Sequence, residues 1–308
     1  SASLVGSEMC IRDRRLFIEE ERVLLIARQM RSYAWNDGKE LHIGRDSLVM
    51  GVLNITDDSF SDGGKWNTLE TAMKHAKDMV EDGAAIVDIG AESTRPGFTS
   101  LSAKDETDKL MKILPSILAC SPVPVSVDSY HYETMDAALR AGAHIVNDIW
   151  GFQYDDGSMA RVTAEYKVPA VLMHNQDGET YDEDILESMK KFFDRSIDIA
   201  VRAGVEQDKI ILDPGIGFGK TAEQNMEVLT RLDELTREFP FPWLLGVSRK
   251  RFIGAILDLP APERDEGTAA VNLWGIGKGC SIFRVHNVKI SAREIKVWDA
   301  LNHFNQEN

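Results

Sequence analysis

The sequence predicts an α/β protein, a (β/α)8 (TIM) barrel preceded by an N-terminal helix and a small hairpin. Three observations carry this prediction. Short, wholly apolar runs, of the kind a strand buried on both faces requires, alternate with amphipathic stretches of helical period from residue 48 onward. Eight such pairs fit between residues 48 and 304, the size and rhythm of an eight-stranded barrel. Nearly every apolar run also ends in a polar residue able to bind or react, at the strand ends where such barrels carry chemistry. A doubly wound open sheet is the structural alternative.

Residues 1–14 (SASLVGSEMCIRDR) show neither period nor caps and are expected to be disordered or foreign to the natural start. Residues 15–47 are read as a helix from Leu16 to Met30 followed by a hairpin, Tyr33-Ala34-Trp35 and Leu41-His42-Ile43 around an Asp37-Gly38 turn. Residues 48–304 are expected to form a single barrel domain, with no linker or shift of composition inside it. Its strands are Leu48–Leu53, Ala85–Ile89, Val123–Val127, His144–Val146, Ala170–Met173, Ile210–Leu212, Trp243–Val247 and Ile282–Val285. The intervening helices span about 69–80, 102–118, 135–141, 157–166, 183–203, 222–237, 266–277 and 289–303, with Pro115 expected to kink the second.

The composition narrows the function classes. Fifty acidic against 35 basic residues give a formal charge of -15, which argues against nucleic acid or an anionic membrane as the main partner. Cys10, Cys120 and Cys280 lie far apart without metal spacing, so reduced thiols in the cytoplasm are expected. No apolar run approaches the roughly 20 residues of a membrane helix. Small-molecule substrates remain.

The stretch Lys209–Thr221 (KIILDPGIGFGKT) gathers the clearest site signal. A buried strand delivers Asp213 to its end, and Pro214, Gly215, Gly217 and Gly219 follow as a bare-backbone turn. Two phosphate-loop patterns fail here, because Pro214 and Lys220 stand where each needs glycine. A glycine-rich turn without any ligand is the bland alternative. The other strand ends supply Asn54, Asp88 with the loop Glu92–Gly97, Asp128, Asn147, His174, Lys250, Arg284 and His286. Any one of these alone reads equally well as a helix cap or a satisfied core group. Together they have a chemical shape. Asp128, Asn147 and Asp213 suit the donor-rich edge of a nitrogen heterocycle. Lys250, Arg284 and His286 suit an anion such as phosphate, and Asn54 could orient a phosphate or a magnesium ion through its carbonyl oxygen.

Seven blocks then resemble one family in order and spacing: VMGVLNITDDSFSDGG (49–64), DIGAESTRPG (88–97), SVDSY (126–130), NDI (147–149), LDPGIGFGK (212–220), GVSRKRFIG (246–254) and RVHNV (284–288). The family is dihydropteroate synthase, and the resemblance covers about residues 41–304. It implies a (β/α)8 barrel of folate biosynthesis that joins 6-hydroxymethyl-7,8-dihydropterin diphosphate to p-aminobenzoate, uses Mg2+ and releases pyrophosphate. Carried over by position, it implies that Asp128, Asn147, Met173, Asp213, Phe218 and Lys250 hold the pterin. Asn54, Arg284 and His286 would bind the diphosphate, with Asn54 touching magnesium. Phe60, Thr94, Arg95, Pro96, Phe218, Ser248 and Lys250 would form the p-aminobenzoate pocket, beneath lids at 55–64 and 91–99. The catalytic set would be Lys250, Asp128, Asp213, Arg284 and His286. Sulfonamide binding and a homodimer are implied as well.

This sequence departs from the family pattern at Asp57, at Ala91 and over His174–Asp177, where the contacts after the fifth strand are open. A pterin-dependent methyltransferase would share the barrel and the polar pterin residues, but would not need Ser248-Arg249-Lys250 or Thr94-Arg95-Pro96. A Schiff-base aldolase would act through Lys250, its pKa lowered by Arg249 and Arg251. A catalytically silent pterin-binding paralogue would have lost lid or anion residues, whereas Thr94, Arg95, Lys250, Arg284 and His286 are all present.

Overall fold

The computed structural model describes residues 29–55, 68–91 and 101–307. Strands β1 (Arg31–Ala34) and β2 (Glu40–Ile43) pair antiparallel as the expected hairpin, with Trp35 N–H donating to Lys39 O across the turn. The helix expected over 16–30 falls mostly outside the described residues. Gln29 and Met30 lie in irregular chain, so it does not extend to Met30.

Eight parallel strands follow: β3 (Leu48–Asn54), β4 (Ile86–Gly90), β5 (Val125–Asp128), β6 (Ile145–Asp148), β7 (Ala170–Met173), β8 (Ile210–Asp213), β9 (Leu244–Leu245) and β10 (Ile282–Val285). Each pairs with its neighbour in chain order from β3 to β8, and β10 lies between β9 and β3. A single parallel bridge between Leu212 and Trp243, with Leu212 N–H donating to Pro242 O at 2.9 Å, joins β8 to β9 and closes the ring. The (β/α)8 barrel is therefore present, and the open doubly wound sheet is not. The seventh strand, expected over 243–247, has only two ladder residues because its upper part turns away at Gly246 into the loop that carries Lys250.

The outer helices are α1 (Leu69–Glu81), α2 (Ala103–Leu110), α3 (Leu114–Cys120), α4 (Tyr132–Arg140), α5 (Ser158–Tyr166) and α6 (Ile185–Ala203). They continue as α7 (Ala222–Thr230), α8 (Leu232–Glu238), α9 (Arg251–Leu257), α10 (Asp265–Gly277) and α11 (Val288–Glu307). Two expected helices are broken. The one over 102–118 stops at Leu110 and restarts with Pro115 in its first turn, where a missing N–H leaves no bond unmade. The one over 222–237 breaks at Arg231, whose guanidinium bonds Asp184, Glu227 and Glu234 while Leu232 and Leu235 turn inward. Helix α9 was not expected from the sequence, since seven residues are too few to show a period. Among the described residues no helix is long and apolar enough to cross a membrane.

Two apolar layers result. A large one fills the space between strands and helices, with Leu53, Ile89, Val127, Leu172, Leu212 and Phe283 buried in it. A smaller one, Met50, Ile86, Ile145, Val171, Ile211, Leu244 and Ile282, fills the barrel's lower interior and is capped by Tyr33, Leu41 and Ile43 of the hairpin.

Candidate active site

Side chains along a strand alternate between faces, so residues two apart point the same way. Two residues above that lower layer stand Asp88 (from Ile86), Asn147 (from Ile145), Met173 (from Val171), Asp213 (from Ile211), Gly246 (from Leu244) and Arg284 (from Ile282). Asp128 stands likewise above Ser126 on β5, and Asn54 above Val52 on β3. The polar strand ends are thus one inward-facing ring at the carboxyl mouth of the barrel.

Arg284 organises one side of the ring. Its Nε donates to Asp88 Oδ2 at 2.7 Å and its Nη2 to Asp128 Oδ2 at 2.6 Å. Despite its burial, Asp88 and Asp128 hold the guanidinium above its ordinary value. Burial raises Asp128 to about 7, opposed by Arg284 and reinforced by Asp88. Asp128 Oδ1 is buried without a partner among the described residues, an acceptor waiting for a ligand donor. Asn147 Nδ2 donates to both carboxylate oxygens of Asp88 at 3.3 Å, which orients the amide and leaves its carbonyl oxygen for a ligand. Gly90 and Gly246 line the same mouth, where a Cβ would lie in ordinary contact with Asn54 Oδ1 and Asp128 Cβ (3.5 Å) and with Asp213 Oδ2 (3.7 Å).

The turn after β8 forms the other side. Gly215 N–H donates to Asp213 Oδ1 at 2.7 Å and fixes that carboxylate, whose pKa burial raises against Lys250. Gly215 and Gly217 have φ of 65° and 85°, and neither leaves room for a side chain. A Cβ at 215 would strike His174 O at 1.9 Å, and one at 217 would meet Lys250 Cδ at 2.9 Å. The glycines therefore let the turn wedge between the β7 loop and Lys250. Lys250 Nζ bonds Ile216 O and lies 4.6 Å from the centre of the Phe218 ring. Burial lowers Lys250 to about 8. Phe218 packs in turn on Tyr130, Ile149 and Met173, an apolar platform beside the polar ring.

Lys250 is delivered by a strained turn. Arg249, with φ of 58°, forks onto Asp265 through Nε (2.7 Å) and Nη2 (3.0 Å), while Thr268 Oγ1 accepts its N–H at 3.0 Å. Arg249 is thus an ion-paired support and not a loose positive neighbour of Lys250. Ser248 Oγ bonds His286 Nδ1 at 2.9 Å and accepts its N–H at 3.1 Å, so the serine hydroxyl is committed to that histidine.

Of the strand-end candidates, Asn54, Asp88, Asp128, Asn147, Met173, Asp213, Lys250 and Arg284 meet at the mouth, with Phe218, Ser248 and His286 on its loops. His174 does not present to the mouth. It is 1% exposed, lies 4.8 Å from the Phe192 ring centre and bonds Lys220. Phe60, Thr94, Arg95 and Pro96, like Asp57, fall outside the described residues. The sequence did not reveal the roles of Asp88 as the hub of Arg284 and Asn147, and of Glu106. That last carboxylate is 1% exposed and accepts from Ser129 Oγ at 2.8 Å, steadying the loop after Asp128. Only a strand register could have exposed the first.

A family model described as Pterin binding enzyme matches residues 50–286. The chain is 51% identical over 255 residues to the dihydropteroate synthase of Bacillus subtilis, covering 83% of this chain and 88% of that one. Among solved structures, a dihydropteroate synthase from Clostridium difficile, determined in the presence of pteroic acid, aligns with TM-score 0.80 and 45% identity over 84% of this chain and 98% of that one. The Yersinia pestis enzyme, in a sulfonamide drug complex, aligns with TM-score 0.82 and 35% identity over 88% and 99%. The chain belongs to the dihydropteroate synthase family of pterin-binding enzymes.

Proposed function

We propose that this transferase condenses 6-hydroxymethyl-7,8-dihydropterin diphosphate with p-aminobenzoate at the barrel mouth, releasing pyrophosphate and forming 7,8-dihydropteroate for folate biosynthesis. The observation that supports it most is the inward ring itself. Asp128 with its open Oδ1, the carbonyl of Asn147 and the carboxylate of Asp213 offer acceptors on three strands to the amide and amino edge of a pterin. Met173 and Phe218 supply apolar faces for its ring, and Lys250 lies 4.6 Å from the centre of the Phe218 ring, near enough to Asp213 for that carboxylate to oppose the lowering of its pKa. A ligand lacking those donors would leave buried acceptors unpaired, which is the source of selectivity.

In the reaction the C–O bond of the pterin methylene breaks with its electron pair going to the diphosphate, and the aniline nitrogen attacks the carbon. That nitrogen is already a neutral nucleophile and loses its proton after the C–N bond forms, so the ring need not provide a strong base. Arg284, oriented by Asp88, and His286, oriented by Ser248, would hold the diphosphate as its charge grows. Magnesium fits the donor chemistry: a hard dication held by Asn54 Oδ1, a neutral oxygen at the mouth, would take its remaining oxygens from diphosphate and water. When bound, the ion offsets charge on the leaving group. Phe60, Thr94, Arg95 and Pro96 are proposed to close over p-aminobenzoate beside Phe218 and Lys250, and sulfonamides to compete there. A catalytic unit over 48–304, a homodimer and a cytoplasmic location belong to the same reading.

A coupled assay for pyrophosphate release, run with and without p-aminobenzoate, tests the proposal. Release that depends on p-aminobenzoate is expected. Folded, purified protein giving none would sink it.

A further inference from the structure

The ring uses Lys250 and leaves a second buried lysine without a role. Lys220 follows the glycine turn at 5% exposure, and among the described residues no carboxylate bonds its ammonium. Its Nζ instead meets Gly215 O at 3.1 Å, Phe218 O at 3.1 Å and His174 Nδ1 at 2.8 Å, three acceptors for three protons. His174 can be the third because burial, and then Lys220, hold its pKa well below the usual histidine range, so the ring is neutral and its Nδ1 accepts in the tautomer that carries the proton on Nε2. Burial lowers Lys220 itself to about 7, with Lys250 adding to the effect.

The turn needs such a tie. Gly215, Gly217 and Gly219 all have positive φ, so its backbone is intrinsically loose. Asn225 Oδ1 accepts from Gly217 N–H at 2.6 Å and Tyr181 donates to Gly219 O at 2.8 Å, but neither holds the carbonyls of Gly215 and Phe218. The turn closes on itself through Phe218 N–H donating to Gly215 O at 3.1 Å, a bond that does not reach the β7 loop, and the contact of Lys250 with Ile216 O comes from a residue that the proposed substrates would engage.

We infer that Lys220 is a positioning residue: its ammonium ties both ends of the Gly215–Phe218 turn to His174 of the β7 loop and so fixes the Phe218 ring against which the aromatic amine docks. The inference rests on the synthase reading. The pterin would also be held by Asp128 and Asn147 on strands away from this turn, so the effect falls on the aromatic substrate more than on the pterin.

The test uses the full chain carrying Lys220→Met, with turnover, calorimetric binding of the pterin diphosphate alone, and hydrogen exchange over residues 214–221. The KM for p-aminobenzoate should rise by about tenfold or more, pterin diphosphate affinity should change by less than about threefold, and exchange in the turn should quicken. Wild-type KM in folded variant protein would overturn the inference, as would equal losses for both substrates. Should Lys220→Met fail to fold, Lys220→Gln retains two N–H donors and should show an intermediate rise; an unchanged KM there overturns it equally. The exchange measurement separates positioning from catalysis. Unchanged exchange at 214–221 defeats the positioning role whatever the chain catalyses, whereas wild-type protein without p-aminobenzoate-dependent turnover defeats the synthase reading.

Discussion

The two ends of the barrel interior are built from the same strands and differ in everything else. At the lower end Met50, Ile86, Ile145, Val171, Ile211, Leu244 and Ile282 meet under the hairpin, all wholly buried. Two residues along each strand, a rise of roughly 7 Å, the same face carries Asp88, Asn147, Met173, Asp213 and Arg284. The lower layer needs only apolar volume and close packing. The upper one gathers the carboxylates of Asp88, Asp128 and Asp213 with the cations of Lys250 and Arg284, where burial makes each pairing consequential. The division places stability at one end and chemistry at the other, as expected for this architecture.

Mutations at the two ends should separate these roles. The largest effect is expected for Arg284→Met, which strands Asp88 and Asp128 without their shared counter-charge. Turnover should fall by about a thousandfold or more and the melting temperature should drop as well; activity within tenfold of wild type would detach the charge array from catalysis. Next comes Ile43→Ala at the capped end, where Ile43 is 0% exposed. Urea unfolding should show a loss of about 2–5 kcal/mol, while kcat/KM at moderate temperature stays at the wild-type value. A kinetic defect comparable to that of the ring variants would erase the division. Asp213→Asn and Lys250→Ala should each lower kcat/KM by at least about tenfold with little change in melting. Wild-type kinetics in either would remove that residue from the site.

The smallest expected effect concerns His144, an ionisable group packed under the hairpin turn. Its Nδ1 accepts the Val125 N–H at 3.1 Å, Nε2 donates to Asp37 Oδ2 at 3.0 Å, and Trp35 lies edge-on at 5.2 Å. Burial depresses its pKa, partly opposed by Asp37. The unfolded chain therefore takes the proton first, so acid withdraws stability as pH falls below about 6.5 toward the folded value. Thermal denaturation at pH 7.5 and 5 should show a smaller acid loss in His144→Gln than in wild type, without a change in turnover at neutral pH. Parallel pH slopes would mean the group adds no such linkage.

Strand ends also show how one residue type serves both purposes. Asn147 faces the mouth, while adjacent Asp148 is 1% exposed and accepts the N–H groups of Trp150 (2.9 Å) and Phe152 (2.7 Å), shaping the β6 loop. His174 and Lys220 are likewise polar, at strand or loop ends, and turned into the protein. The composition of these positions does not separate the two outcomes.

What the sequence determined by itself was the set of strands and their polar ends. A parallel strand buried on both faces must be an unbroken apolar run, and such runs are local and visible, as at Ile210–Leu212 before Asp213. The motifs around Asn54, Asp213, Lys250 and Arg284 were local for the same reason. Register was not. A strand apolar on both faces shows no alternation, so nothing local tells which residues share the interior, and neither the Asp88–Arg284–Asp128 array nor its alignment above the isoleucine layer could be read. Helix α9 and the break at Arg231 depend on packing and long-range ion pairs, and so were decided by the tertiary structure. So was the glycine turn after β8: its φ angles are required by the backbone of the β7 loop and by Lys250, groups distant in sequence that only the closed barrel brings within contact.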